Sequence, residues 1–283
     1  MATKLLLRGL GGLVGASGCA GLGAACDDKP PDRLARWLAG WQAGRTGFHL
    51  SEVNETLLKH CDEFLEGSAG KTILVPLCGK TVDLSFLADM GHAVVGVEGV
   101  RAAVDQFQVE SGEALTPSPT TSGTSWVAVP RGCGRAGALA IVEADYFRLS
   151  TGELHAVCDT MIEREDDGTG DGAVFDFVWD RASLVAIDPA HREEYATQSA
   201  RLLKPGGKIL LNTLEYDQQR MRGPPFSVSE SEVRRLYEPL GLDVVFLSTR
   251  PARDAGVGKF AALDQLEERV FMITKTVRSR STS

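Results

Sequence analysis

The chain has 283 residues, 43% hydrophobic and 24% charged, an ordinary globular composition with enough length to bury a full core. Its net charge of −8 works against general nucleic-acid binding, which needs clustered Lys and Arg to neutralise phosphates. No apolar run reaches the ~18–20 residues needed to cross a bilayer, and Cys19, Cys26, Cys61, Cys78, Cys133 and Cys158 are scattered without a C-x-x-C pair or metal-finger spacing, as expected of reduced thiols in a cytosolic protein.

Residues 1–30 contain Lys4 and Arg8 but no acid before Asp27, followed by Gly/Ala-rich sequence. They read as a disordered leader or a basic targeting segment outside the fold, with a domain over 31–277 and a tail over 278–283. A cytoplasmic location is expected, or a mitochondrial one if residues 1–26 are a transit peptide. Residues 32–44 predict a short helix after Pro30–Pro31, with Trp37 and Trp41 four apart on one face and Gly44 to end it. Phe48 and His49 follow in a loop, and a second helix is predicted over about 51–65. By themselves, the two tryptophans read as the core face of a helix.

The most informative stretch is 71–98, KTILVPLCGKTVDLSFLADMGHAVVGVE. Ile73, Leu74, Val75 and Leu77 suit a strand buried on both faces of a parallel sheet. Gly79 turns the backbone, a helix carries Leu84, Phe86, Leu87 and Met90 on one face, and Gly91 ends it. The next strand, Val94 to Val97, stops at Glu98, about 20 residues past the turn, where an acid can accept hydrogen bonds from ribose hydroxyls. Glu98 read alone is also a solvated strand-end acid. The turn lacks G-x-G-x-x-G and the Walker spacing, and a pyrophosphate needs several converging backbone N–H groups. A phosphate-free nucleoside, S-adenosyl-L-methionine, suits one glycine better than NAD. Cys78, inside the turn, reads as a small packing residue.

Further on, a helix is predicted over 100–113, a Pro/Ser/Thr loop over 116–125, short strands at 126–129 and 138–142, and a mobile acidic insertion at 163–172. Val174 to Trp179 form another buried strand ending in Asp180 and Arg181; Arg181 read alone is a partner for Asp180. Asp188 and Pro189 open a helix that runs through Leu203. Strands follow at 208–214, 242–247 and 270–273, with a long loop at 215–227 and a Ser229/Glu232 capping box. Strands alternating with helices give an α/β, doubly wound, mostly parallel sheet.

PLCGK at 76–80, W-D-R-x-x-L-V-A-I from Trp179 and GPPF at 223–226, together with WLAGWQAGRTGFH at 37–49, resemble the thiopurine S-methyltransferase family over about residues 33–275. The resemblance implies a seven-stranded Rossmann-like sheet with its last strand antiparallel and an N-terminal helical cover. It implies S-adenosyl-L-methionine as cofactor and a small-molecule thiol as substrate, with no nucleic-acid or membrane partner and a monomeric state. By resemblance, Trp37, Trp41 and Phe48 cover the cofactor, Leu77 backs it, Glu98 takes the ribose, and Asp145 and Tyr146 lie at the adenine edge. Arg181 and Phe48 are the expected catalytic residues and serve both cofactor and acceptor, Pro224, Pro225 and Phe226 line the acceptor pocket, and Arg253 is the nearest candidate for a second acceptor-site arginine. The leaving group of such a transfer is a neutral thioether, so no metal is expected. Halide, selenium or tellurium species and aliphatic thiols are the alternative acceptors, and a noncatalytic nucleoside-binding protein is the alternative class.

Overall fold

The computed structural model describes residues 33–120, 123–128, 137–162, 172–253 and 255–277. The expected leader, the C-terminal tail and residues 163–171 of the acidic insertion lie outside them.

The described residues contain nine strands and seven α-helices in the order α1 (Arg33–Gln42), α2 (Glu55–Leu65), β1 (Thr72–Val75), α3 (Asp83–Asp89), β2 (Ala93–Glu98), α4 (Arg101–Ser111), β3 (Thr116–Pro119), β4 (Thr124–Ala128), β5 (Ala138–Glu143), α5 (Thr151–Asp159), β6 (Phe175–Arg181), α6 (Arg192–Leu202), β7 (Leu203–Glu215), α7 (Glu230–Tyr237), β8 (Leu242–Pro251) and β9 (Glu267–Lys275). The strands form one sheet in the spatial order β3-β4-β5-β2-β1-β6-β7-β9-β8. The five central strands, β5 to β7, are parallel, while β9 runs antiparallel to β7 and β8 antiparallel to β9.

Period-2 alternation explains why both faces are covered. Leu74 and Val95 enter one core with residues of α5, α6 and α7, whereas Ile73, Val75 and Val94 enter the other with residues of α2, α3 and α4. Chain order reverses between β1 and β6. The crevice at their carboxyl ends is therefore the topological switch point, where open α/β sheets bind ligands.

Four expectations need correction. The sheet has nine strands among the described residues, not seven, because an antiparallel hairpin, β3–β4, is added beyond β5. Part of the expected Pro/Ser/Thr loop therefore pairs as an edge strand. Thr120 donates its N–H inward to Gly123, so by alternation Pro117 and Pro119 take the outward positions, where their missing donors cost the ladder nothing. The helix expected from Asp188 begins as a 3₁₀ turn over Pro189–His191, capped by the Asp188 carboxylate at Ala190 N, before α6 takes over. At α7 only half of the box forms: Ser229 Oγ accepts from Glu232 N, while the Glu232 carboxylate pairs with Arg235.

Candidate active site

The crevice is built from four pieces of chain. After β1, Leu77 adopts φ +45° and Gly79 φ +55°, so the turn coils tightly at the strand end. The Cys78 N–H donates to Val97 O at 2.9 Å, which ties the turn to β2. Gly96 leaves room for it: a Cβ there would lie 2.7 Å from Cys78 Sγ. Cys78 is buried, and burial holds its thiol well above the ordinary pKa, consistent with a packing role.

Glu98 ends β2 and is buried at 7% exposure. Its carboxylate accepts the N–H of Gly79 at 2.9 Å and of Val100 at 2.8 Å. Burial raises its pKa to about 7 against the opposing pull of those backbone donors. It is therefore not a solvated acid. This geometry also decides which ligands fit. The N–H that a phosphate would need at Gly79 is already bonded to a carboxylate, and a buried carboxylate repels phosphate. Lys80 is likewise engaged, its Nζ 2.5 Å from Glu110 Oε1. The site is thus equipped for hydroxyl donors and a cation, the groups an adenosyl sulfonium presents.

Over the turn lies an aromatic roof. Phe48 meets Trp37 and Trp41 edge-to-face, with centroids 5.8 and 5.7 Å apart. A Cβ on Gly79 would lie 3.3 Å from Trp41 Cζ2 and 3.8 Å from Phe48 Cε2, so both rings sit on the turn itself. Trp41 is buried with Val100 and Ala103 at the start of α4, and Gly99 gives passage to Leu34 of α1. The tryptophans thus join α1 to the strand-end loops.

Arg181, at the end of β6, donates from Nη1 to Phe48 O at 2.6 Å. It therefore clasps the roof from the opposite side of the switch point. Its neighbour Asp180 is fully buried, accepts from Tyr195 OH at 2.7 Å and Leu184 N at 3.2 Å, and is raised by burial to about 6. Asp83, at the start of α3, joins three elements. It accepts the N–H of Asn54, the α2 cap, at 2.9 Å and the Trp179 indole N–H at 2.8 Å.

The two residues expected at an adenine edge are placed differently from one another. The Asp145 carboxylate accepts the N–H of Phe147 and caps a 3₁₀ turn over Tyr146–Arg148. The Tyr146 ring turns into the core, 5.1 Å from Tyr195, with its OH 2.8 Å from Ser199 Oγ. Its main-chain oxygen accepts from Gln198 Nε2 at 3.3 Å. The GPPF loop is pinned by Tyr216 OH to Pro225 O at 2.6 Å, Lys259 Nζ to Pro224 O at 3.1 Å and Phe226 N to Val185 O at 2.6 Å. Arg253 is exposed in the loop after β8. A basic side chain that does meet the GPPF loop is Lys259, for which no motif or spacing offers a signal.

A model of the thiopurine S-methyltransferase family matches residues 33–165 and 169–276. The chain belongs to that family. Among named members, the thiopurine S-methyltransferase of Aliivibrio fischeri (strain MJ11) is 36% identical over 84% of this chain and 97% of its own. That of Equus caballus is 33% identical over 72% of this chain and 75% of its own. The fold of this chain is matched by a SAM-dependent methyltransferase of Methanosarcina mazei, with TM-score 0.52 at 15% identity, covering 77% of this chain and 97% of the other. The chain is an S-adenosylmethionine-dependent methyltransferase, and the donor chemistry argued from Glu98 and Gly79 agrees with its family. No helix among the described residues is long and apolar enough to cross a membrane.

Proposed function

We propose that this methyltransferase acts on the sulfur of aromatic and heterocyclic thiols, thiopurines among them. The observation that carries the reading is Arg181 bonded to Phe48 O beneath the aromatic roof. A fixed guanidinium favours an anionic or thione-like sulfur, and aromatic faces beside it suit a planar acceptor. When bound, the donor supplies an activated methyl group on a sulfonium, which nearby aromatic rings attract by about 0.5–2 kcal/mol.

The remaining work is positioning. Glu98 accepts the ribose hydroxyls on the lone pairs its two backbone bonds leave free. Leu77 and Gly79 shape the floor, and Trp37, Trp41 and Phe48 exclude water. Asp145 and the main chain of Tyr146 bound the adenine. Pro224, Pro225 and Phe226 form the acceptor wall. Their loop shares a small core with the 252–266 segment through Tyr216, Met221, Phe260 and Leu263, so both loops set acceptor shape together. Correct alignment of two reactants contributes about 7–11 kcal/mol to such a displacement.

A labelled-methyl assay over 6-mercaptopurine, thiophenols, aliphatic thiols, selenide and iodide tests the proposal. The expected order places aromatic and heterocyclic thiols first in kcat/KM. Methylation of iodide or selenide with no product from 6-mercaptopurine refutes the acceptor class, and no binding of S-adenosylhomocysteine refutes the site.

A further inference from the structure

Beside Arg181 lies a second titratable cluster that thiopurine chemistry does not need. His49 follows Phe48 directly, and its backbone N–H donates to Thr46 O at 2.9 Å, fixing the turn that presents the side chain. His49 Nε2 lies 3.6 Å from Glu110 Oε2 on α4, and the other oxygen of that carboxylate meets Lys80. Four charged groups face the imidazole: Lys80 from the glycine turn, Glu110 from α4, Arg181 from β6 and Asp83 from α3. Burial and the two cations lower the His49 pKa, and the two acids only partly oppose them.

Acceptor chemistry gives this cluster a use. An alkyl thiol has a pKa of about 8.5 or higher, so at neutral pH it arrives mostly protonated, whereas the thiolate is the nucleophile. Arg181 favours the thiolate but cannot take the proton. Asp83 has one oxygen bonded to Asn54 N and the other to Trp179, and the lone pairs of Glu98 that Gly79 and Val100 leave free are taken by the ribose hydroxyls of the donor. The Cys78 thiol is buried and held protonated.

We propose that His49 and Glu110 form the proton exit for acceptors that enter this site as neutral thiols. The inference rests on the thiol reading above and extends the acceptor range toward alkyl thiols. The S–H proton passes to His49 Nδ1 as the acceptor sulfur forms its bond to the methyl carbon. The electron pair of the broken carbon–sulfur bond stays on the donor as a neutral thioether. The imidazolium then loses its Nε2 proton to water by way of the half-exposed Glu110 carboxylate.

The test compares 2-nitro-5-thiobenzoate, ionised at neutral pH, with benzyl mercaptan, largely protonated there. In His49→Gln, the ratio of kcat/KM for benzyl mercaptan to that for nitrothiobenzoate is expected to fall about 100-fold, the usual scale of a lost general base. The acidic limb of the wild-type benzyl mercaptan profile should disappear with it. Calorimetry with S-adenosylhomocysteine reads out the roof separately, and its Kd should move less than threefold. In the unliganded protein, NMR should show the His49 imidazole titrating below the ordinary histidine value of about 6.5, and lower still in Glu110→Gln. An unchanged acceptor ratio, with both activities falling together or neither falling, overturns the proposal. So does a His49 titration that Glu110→Gln does not move. If the wild type methylates nitrothiobenzoate but not benzyl mercaptan, the proton exit fails while the thiol reading stands. If it methylates 6-mercaptopurine but neither of these, the proton exit fails and the thiol reading stands; if it methylates none of the three, the thiol reading itself fails and takes this proposal with it.

Discussion

Donor affinity should depend on pH through one group. In the free protein, burial raises Glu98 to about 7, from an ordinary carboxylate value of 4.5. Ionising it without further partners therefore costs about 3–4 kcal/mol relative to water, at ~1.4 kcal/mol for each factor of ten in acidity. A carboxylate with a raised folded pKa binds its proton more tightly in the native state. Its contribution to stability is complete below about pH 4.5 and is lost as pH rises toward about 7. Ribose hydroxyls donating to the ionised form offset that cost and return the pKa toward its ordinary value. Linkage then makes S-adenosylhomocysteine bind more tightly as pH rises, with Kd falling about twentyfold between pH 5.5 and 7.5 if the pKa returns fully. Calorimetry across that range, with proton release measured from the buffer dependence of the enthalpy, checks the prediction. Glu98→Gln should abolish the slope. A Kd flat in pH for the wild type, or the same slope in the Gln variant, refutes both the buried-acid argument and the ribose role.

Other substitutions separate site from scaffold. Asp83→Ala removes an acceptor from Asn54 N and Trp179 Nε1 at once, and should lower stability by about 2–4 kcal/mol, read as a reduced urea midpoint. Gly79→Ala places a Cβ at φ +55° and 3.3 Å from Trp41, so about 1–2 kcal/mol of backbone strain and a displaced roof should weaken S-adenosylhomocysteine binding in calorimetry. Tyr146→Phe removes the Ser199 contact from the core and should cost about 0.5–1.5 kcal/mol in denaturant melts while the S-adenosylhomocysteine Kd stays within twofold. A large affinity loss there would restore the Tyr146 side chain to the adenine edge.

The sequence made the central unit legible because its signals are local. The apolar run at 73–75, the break at Gly79 and the acid ending β2 each follow from neighbours a few residues away. The strand expected at 126–129 is present as β4, but β3 is not legible, because its pairing is decided by that partner strand while its proline and serine composition argues for a loop. Side-chain direction at Tyr146 was not readable because a 3₁₀ turn has no long period to extrapolate. His49 and Glu110 meet only because α4 crosses behind the roof, so their pairing had no spacing signal. The start of α5 carries a local signature, the reciprocal capping box of Ser150 and Glu153.

The two prolines of β3 bear on how this sheet can grow. Their outward positions lack amide hydrogens, so that rim offers no regular ladder to an incoming strand, and a neighbouring chain finds no register there. Lengthening by insertion or by strand exchange is thereby left to the opposite margin, along β8. A family member that carries extra sheet should add it on that side.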